Sequence, residues 1–272
     1  MSTDLATLAD LAGTDLGSHT ARYDDTAAIL YALAVGAAED QLDLVYERDL
    51  RTLPSMACAL GLWAVEAAGR LGAYDATKSL HVSQQLVMHG PMPRSGEIPM
   101  TAKVAAVYDK GKAALVEIAV ESELFSLTYG IFLPGMGGWG GDRGPSAARG
   151  EAPEFTHHTD YPTSTALAAL YRLTGDRHPV HIDPELAASN GFERPILHGL
   201  CTAGITARVI AEQVGAHPAE LTELSFRLSA PVLPGDTLRI SSGGEPADVQ
   251  FTTAVGDHTV LAAGSARFGT RA

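Results

Sequence analysis

Pro134-Gly-Met-Gly-Gly-Trp-Gly-Gly-Asp-Arg-Gly-Pro145 divides this 272-residue chain almost at its midpoint. Six glycines (135, 137, 138, 140, 141 and 144), with Pro145, Ala147 and Ala148 after them, read as a loop or linker by composition. A break at the middle invites a search for a repeat across it. Tyr31-Ala-Leu33 matches Tyr171-Arg-Leu173, 140 residues on. Leu53-Pro-Ser-Met-Ala-Cys58 is similar to Ile196-Leu-His-Gly-Leu-Cys201 at an offset of 143, and Pro91-Met-Pro93 to Pro231-Val-Leu-Pro234 at 140 to 141. Three anchors in one order at a nearly constant offset predict an internal repeat of about 130–140 residues.

Both halves run in the same order, a small-residue helix followed by alternating strands. In the first half, Thr101–Tyr108 and Ala113–Val120 bracket Asp109-Lys-Gly-Lys112, a hairpin signal, and Glu123–Phe132 is a third strand. In the second, Leu200–Val214 is apolar nearly all round, which predicts a buried helix. Glu223–Leu228, Thr237–Ser242, Val249–Val255 and Val260–Phe268 read as strands. A buried helix with a run of antiparallel strands predicts an α+β layered fold. The expected division is residues 1–134, a linker at 135–160, and residues 161–272.

Hydrophobic residues make up 46% of the chain and charged ones 19%, which excludes a disordered chain, a coiled coil and a collagen-like fibre. The net charge of −13 argues against nucleic acid as a partner. Two cysteines, Cys58 and Cys201, make no disulfide framework and suit a reducing compartment; both lie among apolar residues as core thiols. Met1–Ala12 lacks the basic and apolar regions of a signal peptide, and no apolar run approaches the ~18 residues of a membrane span. The expectation is a soluble, cytoplasmic protein.

The densest polar cluster is Thr174-Gly-Asp-Arg-His-Pro-Val-His-Ile-Asp-Pro184, followed by Arg194-Pro-Ile-Leu-His-Gly-Leu-Cys201. His178, His181, Asp183 and His198 are candidate metal ligands, although their spacing suits no structural zinc template. Asp176 and His181 are a carboxylate and an imidazole able to give and take protons near neutral pH. Equally, the cluster is a polar loop whose aspartates cap helices, as Asp183-Pro184 suggests. Gly199, opening the buried helix, either lets a ligand oxygen approach unpaired N–H groups or simply permits a tight turn.

Tyr171–Pro184 together with Pro195–Thr202 resembles the signature of MaoC-like (R)-specific enoyl-CoA hydratases, or hydratase 2. Asp24–Gly36, Val107–Ala113 and Arg227–Leu238 are also similar to family segments, so nearly the whole chain is covered. The resemblance implies a double hot-dog fold, in which each half is an antiparallel sheet wrapped on a long helix. It implies Asp176 and His181 as the catalytic pair and the Gly199 N–H as donor to the thioester oxygen. It implies water as sole co-substrate, with no metal and no cofactor beyond the coenzyme A of the substrate. His178 stands where the family usually has an Asn that helps hold the water, which puts water positioning and pH optimum in question. Coenzyme A brings phosphates to an acidic protein, so cations are needed: Lys110, Lys112 and Arg227 first, then Arg177 and Arg194. At an offset of 140, Asp176 falls on Gly36 and His181 on Gln41, so one active site per chain is expected. The small residues around Met56–Leu62 would then shape an acyl pocket.

The rivals are a dehydratase for acyl-carrier-protein thioesters and a non-catalytic acyl-CoA-binding protein. The two halves can pair as a pseudo-dimer, which leaves room for a homodimer of whole chains. Gly135–Gly140 fits G-x-G-x-x-G but opens no helix, so dinucleotide binding is set aside. His157-His158 reads as a solvated loop pair, and no serine nucleophile elbow occurs.

Overall fold

The computed structural model describes residues 8–145 and 154–269. Residues 146–153 of the expected linker and residues 1–7 of the N-terminal reading lie outside them. The described strands are β1 (Asp15–Tyr23), β2 (Leu80–Met88), β3 (Gly96–Asp109), β4 (Ala113–Glu121), β5 (Phe125–Pro134), β6 (His157–Pro162), β7 (Leu221–Leu228), β8 (Thr237–Glu245), β9 (Asp248–Val255) and β10 (His258–Phe268). The α-helices are α1 (Asp25–Ala34), α2 (Leu42–Val45), α3 (Ala57–Leu60), α4 (Trp63–Arg70), α5 (Leu167–Tyr171), α6 (Pro184–Ser189) and α7 (Gly199–Gln213). None is long and apolar enough to cross a membrane.

The strands form one sheet in the order β1-β3-β4-β5-β2-β7-β10-β9-β8-β6. Read inward from each edge, the two halves are the same: first, third, fourth, fifth and second strand. The repeat therefore folds twice, and its copies join along an antiparallel β2–β7 seam. Gln85 lies opposite Ser225 in that seam, so a residue pairs with its own counterpart 140 positions on. That register is the mark of a pseudo-two-fold axis through the seam. Tyr31 and Tyr171, the first repeat anchor, are both buried, with ring centroids 6.1 Å apart.

The helices pack on the sheet, α7 against β7–β10 and α4 against β1, β3 and β4. Every residue of α7 from Leu200 to Ala211 is buried, as an all-round apolar helix must be. Its first-half counterpart is broken into a 3₁₀ turn (Pro54–Met56), α3 and α4. At the break, a Cβ on Gly61 would stand 2.5 Å from the Tyr129 hydroxyl and from Leu127 Cδ1. Strands β7–β10 and the β3–β4 hairpin fall where periodicity places them.

Three strands escape the sequence reading. β1 and β6 are the two edges of the sheet, where one side of the ladder faces solvent and polar residues are tolerated. In β1 only Ala21 and Tyr23 are buried. β6 corrects the reading of His157-His158 as a loop: the pair opens a strand on β8, and His158 Nδ1 meets Ser241 Oγ at 2.9 Å. Its start at His157 also falls inside the stretch read as linker. β2 is central, but Ser83-Gln84-Gln85 interrupts its apolar pattern, and Gln84 is fully buried in the seam.

Candidate active site

The site is built on a short irregular segment and the start of α7. After α5 the chain makes a 3₁₀ turn, Arg172–Thr174, and then reverses through Gly175 at φ +140°, a conformation L side chains rarely adopt. Asp176 follows. Its Oδ1 accepts the His178 N–H at 3.1 Å, which fixes the carboxylate against its own loop. Pro179 starts the next 3₁₀ turn, Pro179–His181, and delivers the His181 ring beside Asp176. Asp183 then caps α6 by accepting the Glu185 and Leu186 N–H groups, as its Asp-Pro pattern predicts.

His181 Nδ1 lies 2.9 Å from the carbonyl oxygen of Ile196. A carbonyl only accepts, so Nδ1 carries the proton and Nε2 presents its lone pair. Nε2 faces Asp176 Oδ2 at 3.9 Å, with both side chains mostly buried. Two acceptors at that separation can both reach one oxygen atom within hydrogen-bond distance. Burial pushes the His181 pKa below its usual 6.5, the Asp176 charge and the Ile196 carbonyl act in the opposite direction, and His178 adds a smaller lowering. The neutral base therefore persists below pH 6.5. We expect kcat/KM to hold its plateau down to about pH 6.5 and to fall only on the acid side. A profile already halved above that value would contradict the assignment.

His198 is the site residue that the sequence reading left among metal candidates. It is 1% exposed, and its ring stacks on His181 at 3.6 Å and 25°. Its Nε2–H donates to the Asp176 carbonyl at 3.1 Å. Burial and the neighbouring His181 hold its pKa well down. Ligand atoms of Asp176, His181 and His198 come within 4.8 Å of one another. They do not fit a metal, because two stacked, near-parallel imidazoles cannot both aim an in-plane lone pair at one ion. His178 and Asp183, the other sequence candidates for ligands, lie outside this group.

Gly199 is the first residue of α7, so its N–H has no acceptor within the helix. A Cβ there would lie 2.6 Å from Leu228 Cδ2, so glycine lets the Leu228 side chain pack directly on the helix start. His178 is exposed, and its Nδ1 accepts the Val180 N–H at 3.3 Å. An Asn oxygen caps a helical turn in the same way. His178→Asn is therefore expected to keep kcat within about threefold; a loss above about tenfold would show that the imidazole itself is required.

Two cavities flank the pair. One of about 370 Å³ is walled by β1, α1, Met56, Ala59, Leu60 and Leu62, and reaches Thr174, Gly175 and Arg177 next to Asp176. The other, about 190 Å³, is lined by His181, Ala168, Ala169, Arg194, Pro195 and Pro234. Arg177 lines the first cavity and Arg194 the second, where Arg194 donates to the Pro234 carbonyl at 3.1 Å. Lys110 and Lys112 lie at the tip of the β3–β4 hairpin, where Lys110 bonds the Arg143 carbonyl and covers the Tyr108 ring. Arg227 is exposed beside buried Phe226 and points to the outer face of the sheet, away from α7.

The pseudo-symmetric position in the first half is filled by structural contacts. Gly36 packs against Tyr161 and Arg208, and Gln41 bonds Ala38 and Glu212. From that half His81, near the start of β2, feels the Asp176 charge, while its ring packs on Tyr129 and its Nε2 bonds the Ser83 carbonyl. Burial lowers its pKa to about 4, although the Asp176 charge pulls the other way. It went unnoticed because β2 itself did.

Residues 147–264 match the model of the MaoC like domain, and residues 22–126 that of the MFE-2 hydratase 2 N-terminal domain. The 3-hydroxyacyl-thioester dehydratase Y of Mycobacterium tuberculosis is 37% identical over 86% of this chain and 86% of its own length. The peroxisomal multifunctional enzyme type 2 of Mus musculus is 34% identical over 89% of this chain, which spans only 36% of that protein. A MaoC-like dehydratase from Phytophthora capsici superposes with a TM-score of 0.85 at 26% identity over 98% of both chains. A conserved hypothetical protein of Mycobacterium tuberculosis with a double hotdog fold superposes at 0.58 over 96% of this chain and 98% of its own, at 14% identity, a likeness of fold alone.

Proposed function

The chain belongs to the family of MaoC-like dehydratases and hydratase 2 enzymes, and from that membership we propose that it adds water reversibly to trans-2-enoyl-CoA thioesters, giving (R)-3-hydroxyacyl-CoA. The observation that carries this reading is the pair of acceptors, Asp176 Oδ2 and His181 Nε2, 3.9 Å apart beside a helix N-terminus. One water donates its two O–H groups to the two acceptors. Its oxygen bonds to C3 while the C2=C3 π electrons move toward C2 and the thioester oxygen. One proton passes from the water to the pair and from the pair to C2, so both side chains end as they began. Charge building on the thioester oxygen meets the Gly199 N–H, a fixed donor that favours the transition state over the ground state.

The cavity of about 370 Å³, with Met56, Ala59, Leu60 and Leu62 on its wall, is the natural place for the acyl chain. The thioester's other arm leaves past His181 and Arg194. Arg194 then lines the coenzyme's path, whereas Arg177 lines the cavity given to the acyl chain. No metal or further cofactor enters the reaction.

The test is hydration of crotonyl-CoA and of a long-chain 2-enoyl-CoA, followed at the absorbance of the conjugated thioester. The product's chirality is read by coupling to a stereospecific dehydrogenase. Formation of the (R)-3-hydroxy product establishes the reaction. Turnover of carrier-protein thioesters alone would move the substrate to that carrier, and binding of enoyl-CoA without turnover on any of them would overturn catalysis.

A further inference from the structure

We propose that His198 is a positioning residue that sets Asp176 and His181 in one geometry, a role that rests on the hydratase reading above. The imidazole occupies the N-cap position of α7, yet makes no capping hydrogen bond to the helix. Ser, Thr, Asp or Asn would stabilise that helix start by about 1 kcal/mol. Its Nδ1 is buried, and no donor among the described residues reaches it. A buried, unpaired polar atom is destabilising, so helix capping and core packing both argue against a histidine here.

What the residue does instead points at the catalytic pair. Its Nε2–H holds the Asp176 carbonyl at 3.1 Å, which ties down the backbone that aims the carboxylate. Its ring face lies on His181 at 3.6 Å and 25°, and Tyr171 closes on it at 4.9 Å. The His181 ring is thereby held in plane, with Nδ1 on the Ile196 carbonyl and Nε2 toward Asp176. The next residue in the chain is Gly199, whose N–H awaits the thioester oxygen. One side chain thus connects the acid, the base and the donor without being on the path of the reacting atoms. A short catalytic segment outside regular structure needs such a brace, because small displacements at reacting groups reduce rate far more than they reduce binding.

Two substitutions separate the two contacts. His198→Phe keeps the ring face and loses the donor, while His198→Gln keeps a donor and loses the ring. His198→Ala loses both. A neutral hydrogen bond and a ring stack are each worth up to about tenfold in rate. The expected result is a kcat lowered about 10–100-fold in the alanine variant, with KM within about threefold, and partial recovery in both Phe and Gln variants. Asp176→Asn is assayed beside them, and melting temperatures identify the folded variants. If Asp176→Asn is inactive while folded His198 variants keep wild-type kcat, or lose kcat/KM only through a rise in KM, the positioning role is wrong and the hydratase reading stands. If Asp176→Asn keeps full kcat, the hydratase reading and this inference fall together.

Discussion

Asp176→Asn is expected to lower kcat by ~10²–10⁴ while leaving the fold intact, and His181→Ala to do the same. The argument for Asp176 is geometric. Its Oδ1 is already committed to the His178 N–H, and an Asn oxygen can keep that bond. Only Oδ2 faces His181, and in the amide that position becomes an NH₂ donor. A donor there cannot accept from the water that His181 also needs to reach. The substitution therefore removes one of two acceptors without disturbing the loop, and kcat should fall with little change in melting temperature. His181→Ala removes the other acceptor together with the Ile196 tether and the surface on which His198 stacks. A combined variant should lose little beyond either single one, because the two act as a unit on one proton. Two folded single variants with wild-type turnover would sink the acid–base assignment.

Gly199→Ala is expected to lower kcat by ~10²–10³, the range found when an oxyanion donor is lost. The new Cβ would stand 2.6 Å from Leu228 Cδ2 and 3.1 Å from Cδ1. Either the Leu228 side chain turns aside, or β7 or the first turn of α7 moves. The helix is wedged among buried residues along Leu200–Ala211, so the movement concentrates at its free end, where the donor N–H lies. Overpacking of this kind also destabilises by roughly 1–3 kcal/mol. Leu228→Ala in the same chain removes the obstructing branch. The double variant should regain much of the lost rate if displacement of the donor is the cause. Lack of recovery, with the fold restored, would mean that Gly199 serves the approach of the substrate rather than the placing of the helix.

Much of the architecture was legible before any coordinates. The Gly-rich break and the Tyr31/Tyr171 anchors announce a duplication, and the sheet order repeats it strand for strand. The core strands and α7 were readable because burial imposes a period that a sequence can display. Edge strands β1 and β6 were not, because an edge needs no apolar alternation to be paired on one side. At the site, the Asp176/His181 spacing and the His-Gly start of α7 were visible as a pattern. The cavities were not: Arg194 lines one together with His181, and Arg177 lines the other beside Gly175, which no local pattern displays.

Resemblance to a family signature named Asp176, His181 and Gly199 as candidates; the sequence by itself determined the two-fold architecture and the buried helix. Those properties are written in local composition, period and spacing, which act along the chain. Only the tertiary structure decided that His198 stacks on His181 and holds the Asp176 carbonyl, and that the first-half counterpart of the site is closed by Tyr161 and Arg208. These depend on contacts between residues far apart in sequence, set by how the β2–β7 seam and the start of α7 come together, and no local pattern encodes them.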